Sequence, residues 1–168
     1  MNRSLGKKIA GSDNIMRFIL AGNAWFAIKS LKTGTVFQYR VNASKSNQCM
    51  VNTATKAWWV EALGSTTGDM SSPYQYIGGL YRRDNNTPKF YKGNAWTNSH
   101  GHTTNPLVLS PELEAFTWLW DKLVKNMLPP SLEFYHIGRC ARCGHKLTDE
   151  KSIKLGFGPT CYRRVTEE

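Results

Sequence analysis

The 168-residue chain has no run of 18 uncharged apolar residues, and it does not open on a basic segment followed by an apolar stretch and small residues. Those absences argue against a helical membrane span and a secretory leader, so the chain is expected to be soluble and cytoplasmic. Acidic residues are nearly missing from the first third. Residues 1–56 carry nine basic residues (Arg3, Lys7, Lys8, Arg17, Lys29, Lys32, Arg40, Lys45, Lys56) against one acid, Asp13. Cysteine is scarce as well: of four, Cys49 stands alone while Cys140, Cys143 and Cys161 cluster, a distribution that fits metal binding better than two disulfides. No phosphate-cradling glycine loop, nucleophile elbow or dinucleotide fingerprint is present, and no repeat or low-complexity tract. A non-enzymatic protein is therefore expected.

What is present is positive charge. The formal net charge is +10, an excess that favours polyanionic partners. From Ser131 onward the balance is closer, seven basic residues to five acidic.

The patterning predicts an α+β fold of one main domain. Residues 1–11 lack periodicity and read as a flexible basic arm. Ser12 and Asp13 offer N-caps to a short helix to about residue 21, with Ile15, Phe18 and Ile19 on one stripe and Gly22 as a stop. From Ala24 the period changes to two: AWFAIKS and VFQYRV flank a Thr-Gly turn. Phe26 and Ile28 share one hairpin face with Phe37, Tyr39 and Val41, leaving Trp25, Lys29, Gln38 and Arg40 for the other. KAWWVEAL and YQYIGGLY read as further strands, KFYKG as a short fifth, and residues 93–109 as a long loop. Ser110 then caps a helix over about 111–127, with Pro111 in its first turn and Leu113, Phe116, Trp120, Leu123, Val124 and Met127 along one stripe. The expected architecture is an antiparallel sheet of four to five strands on that helix over 12–130, followed by a zinc-binding module over 131–168 that opens on the strand LEFYHI.

The module rests on its ligand spacing, His136-x3-Cys140-x2-Cys143-x17-Cys161. Structural zinc prefers four thiolate and imidazole ligands, often from a C-x2-C turn and a second pair elsewhere. Gly144 suits the knuckle, Thr148 can cap a short helix ending at Gly156, and Gly158-Pro159 opens a last helix with Cys161 in its first turn. The result is a treble-clef-like module around one structural Zn2+. His136 is the expected fourth ligand; His145, His100, His102, Asp149 or water are the alternatives.

Cys140-Ala-Arg-Cys143-Gly, Leu147-Thr148-Asp149, Ser152-Ile153 and Gly156-Phe-Gly158-Pro159-Thr-Cys161 resemble an uncharacterised zinc-module family of phages, plasmids and bacterial mobile elements, with the pattern C-x2-C-G-x2-L-T-x3-S-I-x2-G-x-G-P-x-C. His136-Ile-Gly138-Arg-Cys140 is similar to the H-x-G-x-C that often opens that pattern, and the resemblance extends upstream through Ala21-Gly22-Asn23-Ala24, Lys32-Thr33-Gly34 and Phe37-Gln38-Tyr39-Arg40-Val41, so that it covers much of the chain. The chain departs from it at His145, where the family has Arg, which leaves that histidine's role open. The resemblance implies a zinc site and a phage or mobile-element setting, hence a host cytoplasm. It implies no activity.

Trp25, Trp58, Trp59 and Trp96 interleave with Lys29, Arg40 and Lys56, and aromatic residues beside basic ones can hold single-stranded nucleic acid by stacking and phosphate contact. Trp25, Lys29, Lys32, Arg40, Arg82 and Arg83 are the candidate contacts of the main domain, and Arg139, Arg142, Arg163 and Arg164 form a second basic cluster around the cysteines. Trp59 reads as a core residue because its alternation partners are hydrophobic. The chain is expected to bind DNA or RNA. The alternative is a protein-binding modulator of a host complex, such as a defence system or polymerase. A nuclease built on His100 and His102 has no carboxylate pair nearby in sequence to support it.

Overall fold

The computed structural model describes residues 6–45, 56–63, 74–93 and 110–167. Cys49, Trp96, His100 and His102 lie outside them, as does most of the predicted loop 93–109. The described residues form seven strands and four helices: β1 (Lys8–Ile9), α1 (Ser12–Ile19), β2 (Asn23–Ser30), β3 (Val36–Ala43), β4 (Lys56–Leu63), β5 (Tyr74–Arg82), β6 (Lys89–Lys92), α2 (Pro111–Val124), β7 (Leu132–His136), α3 (Glu150–Leu155) and α4 (Pro159–Glu167). No helix among them is long and apolar enough to cross a membrane.

All seven strands belong to one antiparallel sheet in the order β1-β7-β2-β3-β4-β5-β6. The α+β class stands, but the sheet is larger than the four to five strands expected. Two strands account for the difference. Lys8 and Ile9, read as part of a free arm, pair with Tyr135 and Phe134, because Ile9 has a buried site to fill. Strand β7, read as the entry to a separate module, is hydrogen-bonded to β1 on one edge and to β2 on the other.

The hairpin register follows the period-two pattern. Phe26 faces Tyr39 and Ala24 faces Val41, and all four are buried. Helices α1 and α2 pack on this side, supplying Ile15, Phe18 and Ile19 from one and Leu113, Phe116, Leu119 and Leu123 from the other. Ser110 accepts from the Leu113 N–H at 3.3 Å, and Pro111 occupies the first turn, as the cap signature required. Three buried polar bonds tie the layers together: Tyr39 donates to the Glu112 carbonyl at 2.7 Å, Trp58 to Leu20 at 3.0 Å and Trp120 to Pro88 at 2.9 Å. Val124 and Met127, placed on the buried stripe by periodicity, are exposed instead, since α2 ends at Val124.

The C-terminal segment shares this core. Cys140, Ala141, Leu147 and Phe157 belong to the same buried cluster as the sheet residues. Phe134 on β7 is the joint, with its ring 4.7 Å from Phe26 and 5.7 Å from Phe18. Removing it opens a cavity between sheet, α1 and C-terminal segment. Phe134→Ala is therefore expected to destabilise the fold by about 3–5 kcal/mol in chemical denaturation, and a loss below about 1 kcal/mol would mean that the joint is elsewhere.

Candidate metal centre and aromatic sheet face

After β7 the chain turns through a knuckle closed by the bridge between Arg139 and Lys146, with the Cys140 N–H bonded to the His145 carbonyl at 2.9 Å. Asp149, rather than Thr148, caps α3, accepting from the Ser152 N–H at 2.9 Å. Gly156 ends that helix at φ +80, and an added Cβ there would lie 2.7 Å from the Phe18 ring, so both handedness and space require glycine. Pro159 opens α4 and sets Cys161 in its first turn.

The sulfur atoms of Cys140, Cys143 and Cys161 converge to within 4.8 Å of one another. Cys140 is buried, Cys161 half-buried and Cys143 exposed. Burial opposes a thiolate at Cys140, but the N–H groups of Cys143, Gly158 and Arg142 aim at its sulfur and together hold its pKa below that of an ordinary thiol. Cys161 moves the other way: burial, then the hydrogen bond and charge of Cys140, push it up to about 11. The backbone thus favours a thiolate at Cys140, while burial and the neighbouring sulfurs resist one at Cys161. A divalent cation removes that conflict, so the donor set fits a thiophilic metal ion.

His136 is not among these donors. Its ring is fully buried, stacked on Phe18 at 6.0 Å; Nδ1 accepts from the Gly138 N–H at 2.9 Å and Nε2 meets the Ile153 carbonyl. The expectation of a fourth ligand at this position is corrected by that arrangement. Both ring nitrogens are occupied by backbone, because β7 points His136 into the core alongside Phe134. His145 is exposed, Asp149 is engaged as a cap, and the described residues bring no fourth donor to the three sulfurs.

The candidate nucleic-acid contacts divide by location. Trp25, Lys29 and Arg40 share the outer face of the sheet, as the alternation required. Arg40 is clamped there, its guanidinium 5.1 Å from the Trp25 ring and 5.3 Å from Tyr74, and it pairs with Glu61. Arg82 lies on the opposite side, over the buried Trp58 at 5.6 Å, and so does not belong to that surface. Arg83 is in the β5–β6 turn and Lys32 in the β2–β3 turn. Arg139, Arg142, Arg163 and Arg164 surround the cysteines, and none has a carboxylate within 4.0 Å among the described residues.

Three outer-face aromatics, Tyr76, Tyr81 and Tyr91, were not singled out for this role by pattern, and Trp59, expected in the core, joins them there. Trp59 is 39% exposed, Tyr76 40% and Tyr91 52%. They meet edge to face in a ladder across three strands, Tyr76 to Trp59 at 6.1 Å, Trp59 to Tyr81 at 6.2 Å and Tyr81 to Tyr91 at 5.6 Å. Gly79 sits opposite both Trp59 and Tyr91, and the Tyr81 ring lies over it, where a Cβ would be 2.7 Å away. The Trp58-Trp59 pair hid this, since alternation alone does not say which of two adjacent tryptophans faces inward. The alternating tyrosines and the glycine pair of YQYIGGLY were the available signal.

Residues 130–166 match the model of a family of unknown function (DUF6011). The match runs from just before β7 through α4, so it takes in the sheet strand together with the cysteines. No curated protein and no solved structure matches the chain.

Two substitutions separate the roles of cysteine and histidine. Cys143→Ser is expected to abolish stoichiometric metal by elemental analysis and to cost several kcal/mol. His136→Asn is expected to keep the metal while losing about 1–3 kcal/mol, from leaving the Ile153 carbonyl without its buried partner. Burial holds the His136 pKa below 6.5, the Ile153 bond opposing and the Lys7 charge assisting. Its stabilising contribution is therefore complete above that value and declines as pH falls beneath it. Unfolding free energies between about pH 6.5 and 5 should accordingly fall more steeply for the wild type than for His136→Asn.

Proposed function

We propose that this chain is a non-enzymatic nucleic-acid-binding protein of a phage or mobile element, using the outer sheet face to stack bases and the basic residues around it to contact phosphates. The exposed ladder Tyr76–Trp59–Tyr81–Tyr91 is the observation that carries the reading. Aromatic rings held at fixed spacing on a rigid sheet offer π-faces to successive unpaired bases with little ordering cost. Along the same face, Lys8, Lys29, Arg40 and Lys89 outnumber Glu61 and Glu133. The four arginines around the cysteines, none with a carboxylate within 4.0 Å among the described residues, supply further cations.

The metal held by Cys140, Cys143 and Cys161 is read as a single structural zinc ion, whose part is to keep the knuckle and α4 in place. Single-stranded DNA or RNA is the preferred partner, because an open stacking face cannot reach bases inside a duplex.

Fluorescence anisotropy with single- and double-stranded DNA and RNA at low salt tests this. Single strands should bind, with affinity falling as salt rises. Trp59→Ala and Tyr91→Ala should each weaken binding by about 1–3 kcal/mol without lowering the melting temperature. If no nucleic acid binds at low salt, the reading fails, and the same aromatic face passes to the alternative of a docking surface on a host protein complex.

A further inference from the structure

The turn between β2 and β3, the flank of α2 and the segment entering β7 enclose a cleft of about 660 Å³. That volume lies within the usual range for small-molecule sites. Ile28, Phe37 and Leu132 form its apolar floor, and Trp118 and Met127 stand on its lip, 40% and 61% exposed. Such exposed apolar surface beside a concavity is a site where burial by a ligand is favourable.

The polar part of the lining carries one sign of charge. Lys32 comes from the turn and Lys122 from the last turn of α2, and no acidic side chain lines the cleft. Neither lysine has a carboxylate within 4.0 Å among the described residues. The hydroxyls of Ser30, Thr33 and Thr35 are already engaged in the turn: Thr33 Oγ1 donates to Thr35 Oγ1 at 2.9 Å, and Ser30 accepts from the Thr33 N–H at 3.3 Å. Two ammonium groups without a carboxylate partner among the described residues thus border an apolar trough, in which the hydroxyls of Ser30, Thr33 and Thr35 are engaged within the turn.

We propose that this cleft binds a free amphipathic carboxylate, its apolar body against Ile28, Phe37, Leu132, Trp118 and Met127 and its anionic head between Lys32 and Lys122. The trough provides most of the affinity through buried area, and the lysines select the sign of the head group. Neutral or cationic ligands with the same body lose that second contribution. This site is independent of the outer sheet face and of the cysteine cluster.

Isothermal titration of the intact, metal-loaded protein with decanoate, decanol and decylamine, kept below their aggregation thresholds, is the test. Decanoate should bind saturably at one site and more tightly than decanol, with decylamine weakest. The double substitution of Lys32→Ala and Lys122→Ala should weaken decanoate by about ten-fold while leaving the melting temperature unchanged, since both side chains are solvated at the rim. Saturable binding that favours decylamine, or that the double substitution leaves intact, would overturn the assignment. Sedimentation with phosphatidylglycerol vesicles separates a free ligand from a bilayer. Protein that pellets with vesicles yet shows no saturable decanoate binding would place a membrane in the cleft and sink the proposal.

Discussion

Strand β7 is hydrogen-bonded along both edges, to β1 and to β2, and its two inward side chains, Phe134 and His136, reach the core between the sheet and the C-terminal segment. The knuckle, the cysteines and α3 depend on that placement. The knuckle begins where β7 ends, and the ring of His136 bonds forward to Gly138 and Ile153, anchoring both the knuckle and α3 to the strand. A neutral, buried imidazole suits this task because it accepts at one nitrogen while donating at the other.

The three cysteines consequently sit against a core that already exists. A short metal module in isolation relies on its ion in place of apolar burial. Here Leu147, Phe157, Cys140 and Ala141 join the same cluster as Phe18 and Phe26, so a metal ion held by the three sulfurs would act locally, relieving their mutual repulsion and fixing Cys161 at the start of α4. Backbone N–H groups around Cys140 lower its pKa and so ease the thiolate that a metal ion would require.

The sheet divides the molecule into two chemically distinct sides. Helices α1 and α2 cover one, and the other carries an aromatic ladder on β4, β5 and β6, a clamped arginine on the central strand β3, and lysines toward the sheet edges. Arg40 is held by rings on two sides and by Glu61, so its role there is to order Trp25 and Tyr74 as much as to offer charge. Cations with no carboxylate within 4.0 Å among the described residues instead include Lys32 in the β2–β3 turn and the arginines of the cysteine region, whereas Arg83 pairs with Asp84.

From the sequence alone came the α+β class, the hairpin faces, the cap and first turn of α2 and the convergence of three cysteines. All depend on local periodicity, turn chemistry or short spacing, which act over a few residues. Tertiary structure decided what those signals cannot reach. A two-residue strand such as β1 has no periodicity to read and forms only because β7 offers an open edge and a pocket for Ile9. The orientation of His136 depended on whether β7 belonged to the sheet, and a histidine four residues before a C-x2-C turn has the same spacing whether it faces a metal or a core. Likewise, which of Trp58 and Trp59 faces inward was set by their pairing with Leu80 and Gly79, a contact between strands some twenty residues apart in the chain.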